Sequence, residues 1–132
     1  MDDELYREYI LDHYKHPHHW GELTRVDSEA EDMNPLCGDE LRVQLAFDDE
    51  DRVSDIAYAG RGCVISRAAA SMISDEVKGM SAEDLLRLDR EFVLELLGID
   101  ITAVRMKCAM LSLKVLQSAA LSYTSEREPE LQ

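Results

Sequence analysis

The first regular pattern of apolar residues along the chain has the period of an α-helix. Between Asp3 and Lys15 the apolar positions recur at steps of three and four residues, which predicts an amphipathic helix. Pro17 ends that helix, because proline has no backbone N–H to donate. The polar segment that follows, to about residue 32, shows no clear period and indicates at most one short strand.

Strict alternation replaces the helical period between Leu41 and Phe47, where every second residue is apolar. Such alternation predicts a strand with one buried face. The acidic run 48–51 predicts a turn in solvent rather than a cation site, because consecutive side chains point in different directions. The segment from Arg52 to Ala59 then predicts a second strand, so the two strands form an antiparallel hairpin.

The remainder of the chain has the pattern of helices. Gly79 ends the first of them, and Ser81 with Asp84 forms the pattern of a capping box at the start of the next. The predicted helices are 64–78, 81–97 with some interruption, and 101–123. Residues 124–132 are polar, contain Pro129, and are predicted to form a disordered tail.

This order of elements predicts an α+β fold, with a small antiparallel sheet of about three strands and helices packed on one face. The length of 132 residues is that of one domain with one core. The sequence therefore predicts a single domain at residues 1–123, followed by the tail.

Composition and charge narrow the function classes. The formal net charge is −14, and so acidic a surface repels phosphate backbones and anionic lipid headgroups. Nucleic acid and membranes are therefore excluded as partners, whereas basic proteins fit the charge. The acidic, amphipathic N-terminus is unlike a signal or transit peptide, and no apolar stretch has the length of a membrane span, so a cytoplasmic location is expected.

The three cysteines stand in settings that favour the thiolate. Cys37 is flanked by Pro35 and Gly38, which predict a sharp turn that brings a thiolate and the Asp39 carboxylate toward one point. Cys63 follows a glycine turn at a predicted helix N-terminus, where the helix dipole stabilises an anion. Cys108 follows Lys107. An odd number of cysteines in a reducing compartment disfavours a disulfide framework and favours metal or thiol chemistry.

Three thiolates and one carboxylate suit a tetrahedral Zn²⁺ ion or the irons of a [2Fe-2S] cluster. The proposed donors are Cys37, Asp39, Cys63 and Cys108. A hard oxygen donor among soft sulfurs exchanges more easily than a fourth thiolate would. That lability favours a site that releases its cargo over a structural zinc module.

The motifs around these donors resemble those of the NifU N-terminal domain family, which includes IscU-type scaffolds and SufU-type zinc proteins. The motifs are Asn-Pro-Leu-Cys-Gly-Asp at 34–39, Gly-Arg-Gly-Cys-Val-Ile-Ser at 60–66 and Met-Lys-Cys-Ala-Met-Leu at 106–111. The segment 5–17 also resembles the family's opening helix. The resemblance covers residues 5–123, and it implies a SufE/IscU-like fold.

The resemblance implies a function in iron–sulfur cluster assembly. A chain of this family accepts sulfur from a cysteine desulfurase of the IscS or SufS type, assembles a [2Fe-2S] cluster and transfers it to apo-proteins. Cys108 matches the cysteine that first accepts the sulfur. The alternative is a SufU-like sulfurtransferase, in which Zn²⁺ occupies the same four donors.

Three departures from the family's patterns bear on the choice between the IscU and SufU types, and they point in different directions. Lys107 stands where IscU-type chains have histidine, and the segment 101–105 lacks the two prolines that a dedicated chaperone recognises in them. Both features resemble the SufU type. The 45-residue separation of Cys63 from Cys108, however, has no room for the SufU-type insertion.

Four histidines around Pro17 form a pattern that is also seen in metal sites. They are His13, His16, His18 and His19. The interpretation preferred from the sequence is a helix end with solvated imidazoles and packing contacts.

Overall fold

The computed structural model describes residues 3–35 and 38–127. Five helices and three strands occupy these two ranges. Their bounds, in chain order, are α1 Asp3–Lys15, β1 Ser28–Asn34, β2 Asp39–Phe47, β3 Val53–Arg61, α2 Val64–Glu76, α3 Ala82–Arg87, α4 Arg90–Leu97 and α5 Ala103–Arg127.

The strands form one antiparallel sheet in the order β1-β2-β3. β1 pairs with β2 from Ser28 opposite Leu45 to Asn34 opposite Asp39. The outer edge of β3 is partly covered, because Tyr58 exchanges backbone hydrogen bonds with residues 19 and 21. At the other edge, β1 ends at Asn34 opposite Asp39, the first residue of β2.

The helices form a layer against one face of this sheet. α5 packs on β1 and β2, α2 packs between β3 and α5, and α1 lies against α2. The buried Tyr58 hydroxyl donates a 2.8 Å hydrogen bond to the carbonyl of Ser112, which ties β3 to α5. The predicted α+β architecture is confirmed.

Several element boundaries differ from the predicted ones. α5 continues to Arg127, so residues 124–127 of the predicted tail are helical, and residues 128–132 lie outside the described ranges. The predicted interrupted helix 81–97 is two helices, because Leu88 is extended and Asp89 caps a new start. The predicted capping box of Ser81 and Asp84 is confirmed.

None of the helices in the described ranges combines the length and the apolar character that a membrane crossing requires.

Candidate metal centre

Three of the four predicted donors come together at one end of the sheet. Asp39, Cys63 and Cys108 each offer one ligand atom, and these atoms lie within 4.8 Å of one another. They come from β2, from the start of α2 and from α5. The fourth, Cys37, lies outside the described residues; its sequence neighbours Asn34 and Asp39 pair across the sheet.

Asp39 connects the sheet to α2. It is the first residue of β2, and its side chain is buried. Its Oδ1 accepts a 3.0 Å hydrogen bond from the backbone N–H of Cys63. The carboxylate therefore fixes the backbone of a neighbouring donor as well as offering an oxygen of its own.

Cys63 is the N-cap residue of α2, in extended conformation with φ −71° and ψ 174°. Its predicted place at a helix N-terminus is confirmed. The first N–H groups of the helix and the helix dipole give this end a partial positive charge. An anionic sulfur is thus stabilised by the backbone, independently of basic side chains.

Two glycines allow the close approach of β2, β3 and α2 at this point. Gly60 has φ +130°, and a Cβ atom there would lie 2.1 Å from the carbonyl oxygen of Glu40. At Gly62, a Cβ atom would lie 2.1 Å from Ser66 Oγ and 3.4 Å from Asp39 Cγ. A larger residue at Gly60 would push β3 from the β2 backbone, whereas one at Gly62 would first displace the Ser66 side chain.

Cys108 lies in the second turn of α5 and is only 1% exposed. Its Sγ lies 4.0 Å from the carbonyl oxygen of Val104, one turn earlier. Lys107 beside it is exposed, and Cys63 is partly exposed. Cys108, which matches the sulfur-accepting cysteine of the family, is therefore less exposed than Cys63.

A groove of about 630 Å³ runs along α5 from Lys107, the residue before Cys108, to Leu121. Its walls come from the end of β1 and from α5, and they include exposed apolar side chains next to Lys107. Met33 and Leu121 are about half exposed, at 49% and 56%. The groove therefore presents an apolar surface that begins beside Lys107.

A second polar cluster lies between α1 and α2; the sequence pattern indicated its histidines, His13 and His18, but not Ser71 or Asp75. His13 is buried rather than solvated, and its Nδ1 lies 2.6 Å from Ser71 Oγ. His18 Nδ1 lies 2.6 Å from Asp75 Oδ2. The signal that could have shown the cluster is the four-residue step from Ser71 to Asp75, which puts both on one face of α2.

The donors of the first site fit soft and borderline metals. Two sulfurs and a carboxylate oxygen within 4.8 Å are a donor set that suits Zn²⁺ or iron in a cluster better than Mg²⁺ or Ca²⁺. Small displacements of side chains would bring these atoms to the separations of a common coordination sphere.

The fold and the site together define a small α+β domain with a cysteine and carboxylate centre at the sheet–helix junction. The sequence profile described as the NifU-like N terminal domain matches residues 5–129. The chain belongs to this family, as the cysteine motifs predict.

Two bacterial relatives show how closely the chain resembles family members. The zinc-dependent sulfurtransferase SufU of Bacillus subtilis (strain 168) is 38% identical, over 87% of this chain and 88% of that protein. The iron-sulfur cluster assembly scaffold protein IscU of Streptococcus pyogenes serotype M1 is 45% identical, over 65% of this chain and 53% of that protein. The match thus spans about half the length of the streptococcal relative.

A solved structure supports the fold at the level of coordinates. A NifU-like N-terminal protein from Brucella abortus aligns with a TM-score of 0.79 at 20% identity, over 94% of this chain and 97% of that one. At that identity the likeness concerns the fold alone.

Proposed function

We propose that the chain is an iron–sulfur cluster assembly scaffold that accepts sulfur from a cysteine desulfurase, assembles a [2Fe-2S] cluster and transfers it to apo-proteins. The observation that carries this proposal is the convergence of Asp39, Cys63 and Cys108 within 4.8 Å. Family membership supports it, as does the name of the streptococcal relative. Cys37 is proposed as the fourth donor on its sequence motif.

Sulfur enters, in this proposal, by thiolate exchange at Cys108. The thiolate attacks the outer sulfur of the desulfurase persulfide, the sulfur–sulfur bond of the donor breaks, and the donor leaves as a thiolate. The step forms a persulfide on Cys108 without net oxidation. Conversion of that sulfur to sulfide then takes two electrons from an external reductant.

The burial of Cys108 adds a condition to this route. The route requires the first turn of α5 to move and expose the sulfur; residues 103–105 of that turn are exposed, with Val104 at 72%. The groove beside Lys107 gives an incoming loop a surface on which to bind. Exposed Lys107 also favours the approach of an anionic persulfide.

Release of the cluster is assigned to the Asp39 position. An oxygen donor binds soft iron less firmly than a thiolate does, so the iron bound there exchanges ligands first. The carboxylate is already held by the Cys63 N–H, and it can leave the metal without losing its position.

A zinc-dependent sulfurtransferase is the second candidate, and the 38% identity to the SufU protein of Bacillus subtilis favours it. The same donors would hold Zn²⁺, which would keep the thiolates deprotonated until the desulfurase binds. Lys107, in place of histidine, also agrees with this alternative.

Anaerobic reconstitution distinguishes the two candidates. The chain would be incubated with iron, cysteine, a desulfurase and a thiol reductant, then mixed with an apo-ferredoxin, while a parallel sample contains Zn²⁺ without iron. A scaffold is expected to acquire visible absorption of the cluster and to convert the apo-ferredoxin. Desulfurase stimulation in the zinc sample alone, with no cluster formed in the iron sample, would establish the sulfurtransferase instead.

Mass spectrometry of peptides from a reaction with desulfurase and cysteine but without the reductant tests the sulfur acceptor. Persulfide is expected on Cys108, and Cys108→Ser is expected to abolish transfer, whereas Cys63→Ser retains part of it. Both variants should lose stable cluster binding. Persulfide found chiefly on Cys37 or Cys63 would contradict the assignment to Cys108 and leave the metal site in place.

A further inference from the structure

We infer that His13, His18 and Asp75 form a second metal site, which takes a divalent transition-metal ion and is separate from the cysteine site. Each of the three offers one ligand atom, and these atoms lie within 4.8 Å of one another. The donors come from α1, from the segment after it and from the last turns of α2.

The first observation behind this site is a buried imidazole with an unsatisfied nitrogen. His13 is 1% exposed, and Nδ1 is occupied by the Ser71 hydroxyl. Its other ring nitrogen, Nε2, is buried and has no hydrogen-bond partner in the part of the chain that the structure describes. A buried polar atom without a partner is costly, and coordination of a cation removes that cost.

The second observation is a carboxylate that already holds two imidazoles. Asp75 Oδ2 lies 2.6 Å from His18 Nδ1, and Asp75 Oδ1 lies 3.2 Å from His19 Nε2. The rings of His13 and His18 lie 4.4 Å apart between centroids. The group therefore contains ligands together with a further histidine that can orient the carboxylate or complete the coordination.

The charge state of the group suits a cation. Burial, the larger cause, and the neighbouring His18 lower the pKa of His13 below its ordinary value, against the opposing effects of Asp75 and Asp12. A neutral imidazole is the form that binds metal. The Asp75 carboxylate supplies the negative charge.

The donor types select the class of metal. Imidazole nitrogen with carboxylate oxygen suits Zn²⁺, Ni²⁺, Cu²⁺ or Co²⁺, whereas Mg²⁺ and Ca²⁺ prefer oxygen alone. Bonds of about 2.0–2.1 Å to a tetrahedral ion place donors roughly 3.4 Å apart, so small side-chain shifts suffice to bring three atoms that lie within 4.8 Å of one another to that spacing. His18 and Asp75 have side-chain exposures of 46% and 33%, which leaves room for that movement.

Titration of the metal-free full chain with Co²⁺ under anaerobic conditions tests the site. Binding of Co²⁺ at the cysteine site is detected by a thiolate-to-cobalt charge-transfer band in the near ultraviolet. The histidine site is expected to bind a second equivalent of Co²⁺ without adding to that band. Calorimetry counts both equivalents. His18→Ala combined with Asp75→Asn is expected to weaken the second equivalent at least about tenfold and leave the charge-transfer band unchanged.

His16→Ala is the matched control, because His16 is an exposed histidine of the same segment outside the cluster. It is expected to retain the second equivalent at wild-type affinity. Circular dichroism verifies that each variant is folded. The inference is overturned if wild type binds no second equivalent up to about 1 mM Co²⁺, if the double variant retains it, or if His16→Ala loses it as well.

Discussion

The carboxylate of Asp39 combines two roles, one toward the metal and one toward the protein backbone. It is a proposed metal ligand, and its Oδ1 accepts the 3.0 Å hydrogen bond from the Cys63 N–H. Substitution by alanine removes both roles, whereas substitution by asparagine keeps an oxygen acceptor and removes the charge. Comparison of the two variants therefore separates ligand exchange from positioning of Cys63.

The first prediction is that Asp39→Ala and Asp39→Asn both slow release of a bound cluster to an apo-ferredoxin, by about tenfold. The reason is that exchange at the oxygen-ligated iron opens the first coordination position for an acceptor thiolate. Asp39→Ala should also lose about 1.5 kcal/mol of stability with its charge-assisted hydrogen bond, and remain folded. Stopped-flow absorption measures the release, and urea unfolding measures the stability.

Transfer as fast as wild type in both variants would remove Asp39 from the release mechanism. Slower transfer in the alanine variant alone would show that the carboxylate acts by placing Cys63.

At the level of the elements, β2, β3 and α2 can approach one another closely because glycines stand at their junction. Gly60 pairs with Leu41, two residues after Asp39, and its positive φ belongs to the region that favours glycine. A side chain there would also collide with the Glu40 carbonyl. Gly79 has a positive φ of +89° too, but a Cβ atom at that position meets nothing within 4 Å.

Gly60→Ala is expected to cost about 3 kcal/mol or more of unfolding free energy, from backbone strain and the clash together. Gly79→Ala, with strain alone, is expected to cost about 1–2 kcal/mol. Urea unfolding of both variants compares the two costs. Equal losses would mean that β2 and β3 move apart at little cost, contrary to the packing seen here.

The bounds of the helices and strands show which of them the sequence pattern could predict. Helix α1 was predicted to the residue, because Pro17 and a regular apolar stripe mark its end. β1 was not delimited, since its alternation Ser-Glu-Ala-Glu-Asp-Met-Asn is mostly polar and it is defined by pairing with β2. The end of α5 was placed too early, because the polar residues of its last turn resemble a tail.

The residues of the two candidate sites also fall into those that the sequence could predict and those that it could not. Local motifs identified Asp39, Cys63 and Cys108, and the structure brings them together. The burial of Cys108 could not be predicted, because it depends on how α5 packs against the sheet. Asp75 was missed for the same reason: its relation to His18 exists only once α1 lies on α2.

Over the whole molecule, the net charge of −14 makes repulsion between carboxylates the dominant long-range interaction. The ion pairs in the described ranges lie on partly or largely exposed side chains, such as Lys114 with Asp32 and Arg61 with Glu40. Exposed pairs of this kind contribute little. Added salt should therefore screen more repulsion than attraction.

The last prediction is that Tm rises by about 4 °C between 10 mM and 300 mM NaCl, which corresponds to roughly 1 kcal/mol of relieved repulsion. Thermal unfolding followed by circular dichroism measures the change. Sucrose at matched osmolality controls for exclusion of solute from the surface. A Tm that falls with NaCl would show that the ion pairs stabilise more than the excess charge destabilises.

The positions of the proposed donors along the chain determine how early during synthesis the protein can bind a metal or cluster. Under the proposed assignment, Asp39 and Cys63 leave the ribosome well before Cys108, and α5 must pack on the sheet before the third donor reaches them. A growing polypeptide therefore presents only a partial set of ligands. Binding of a metal or cluster is then restricted to chains that have been synthesised past Cys108 and folded. A chain that unfolds later separates the donors and releases the bound metal or cluster.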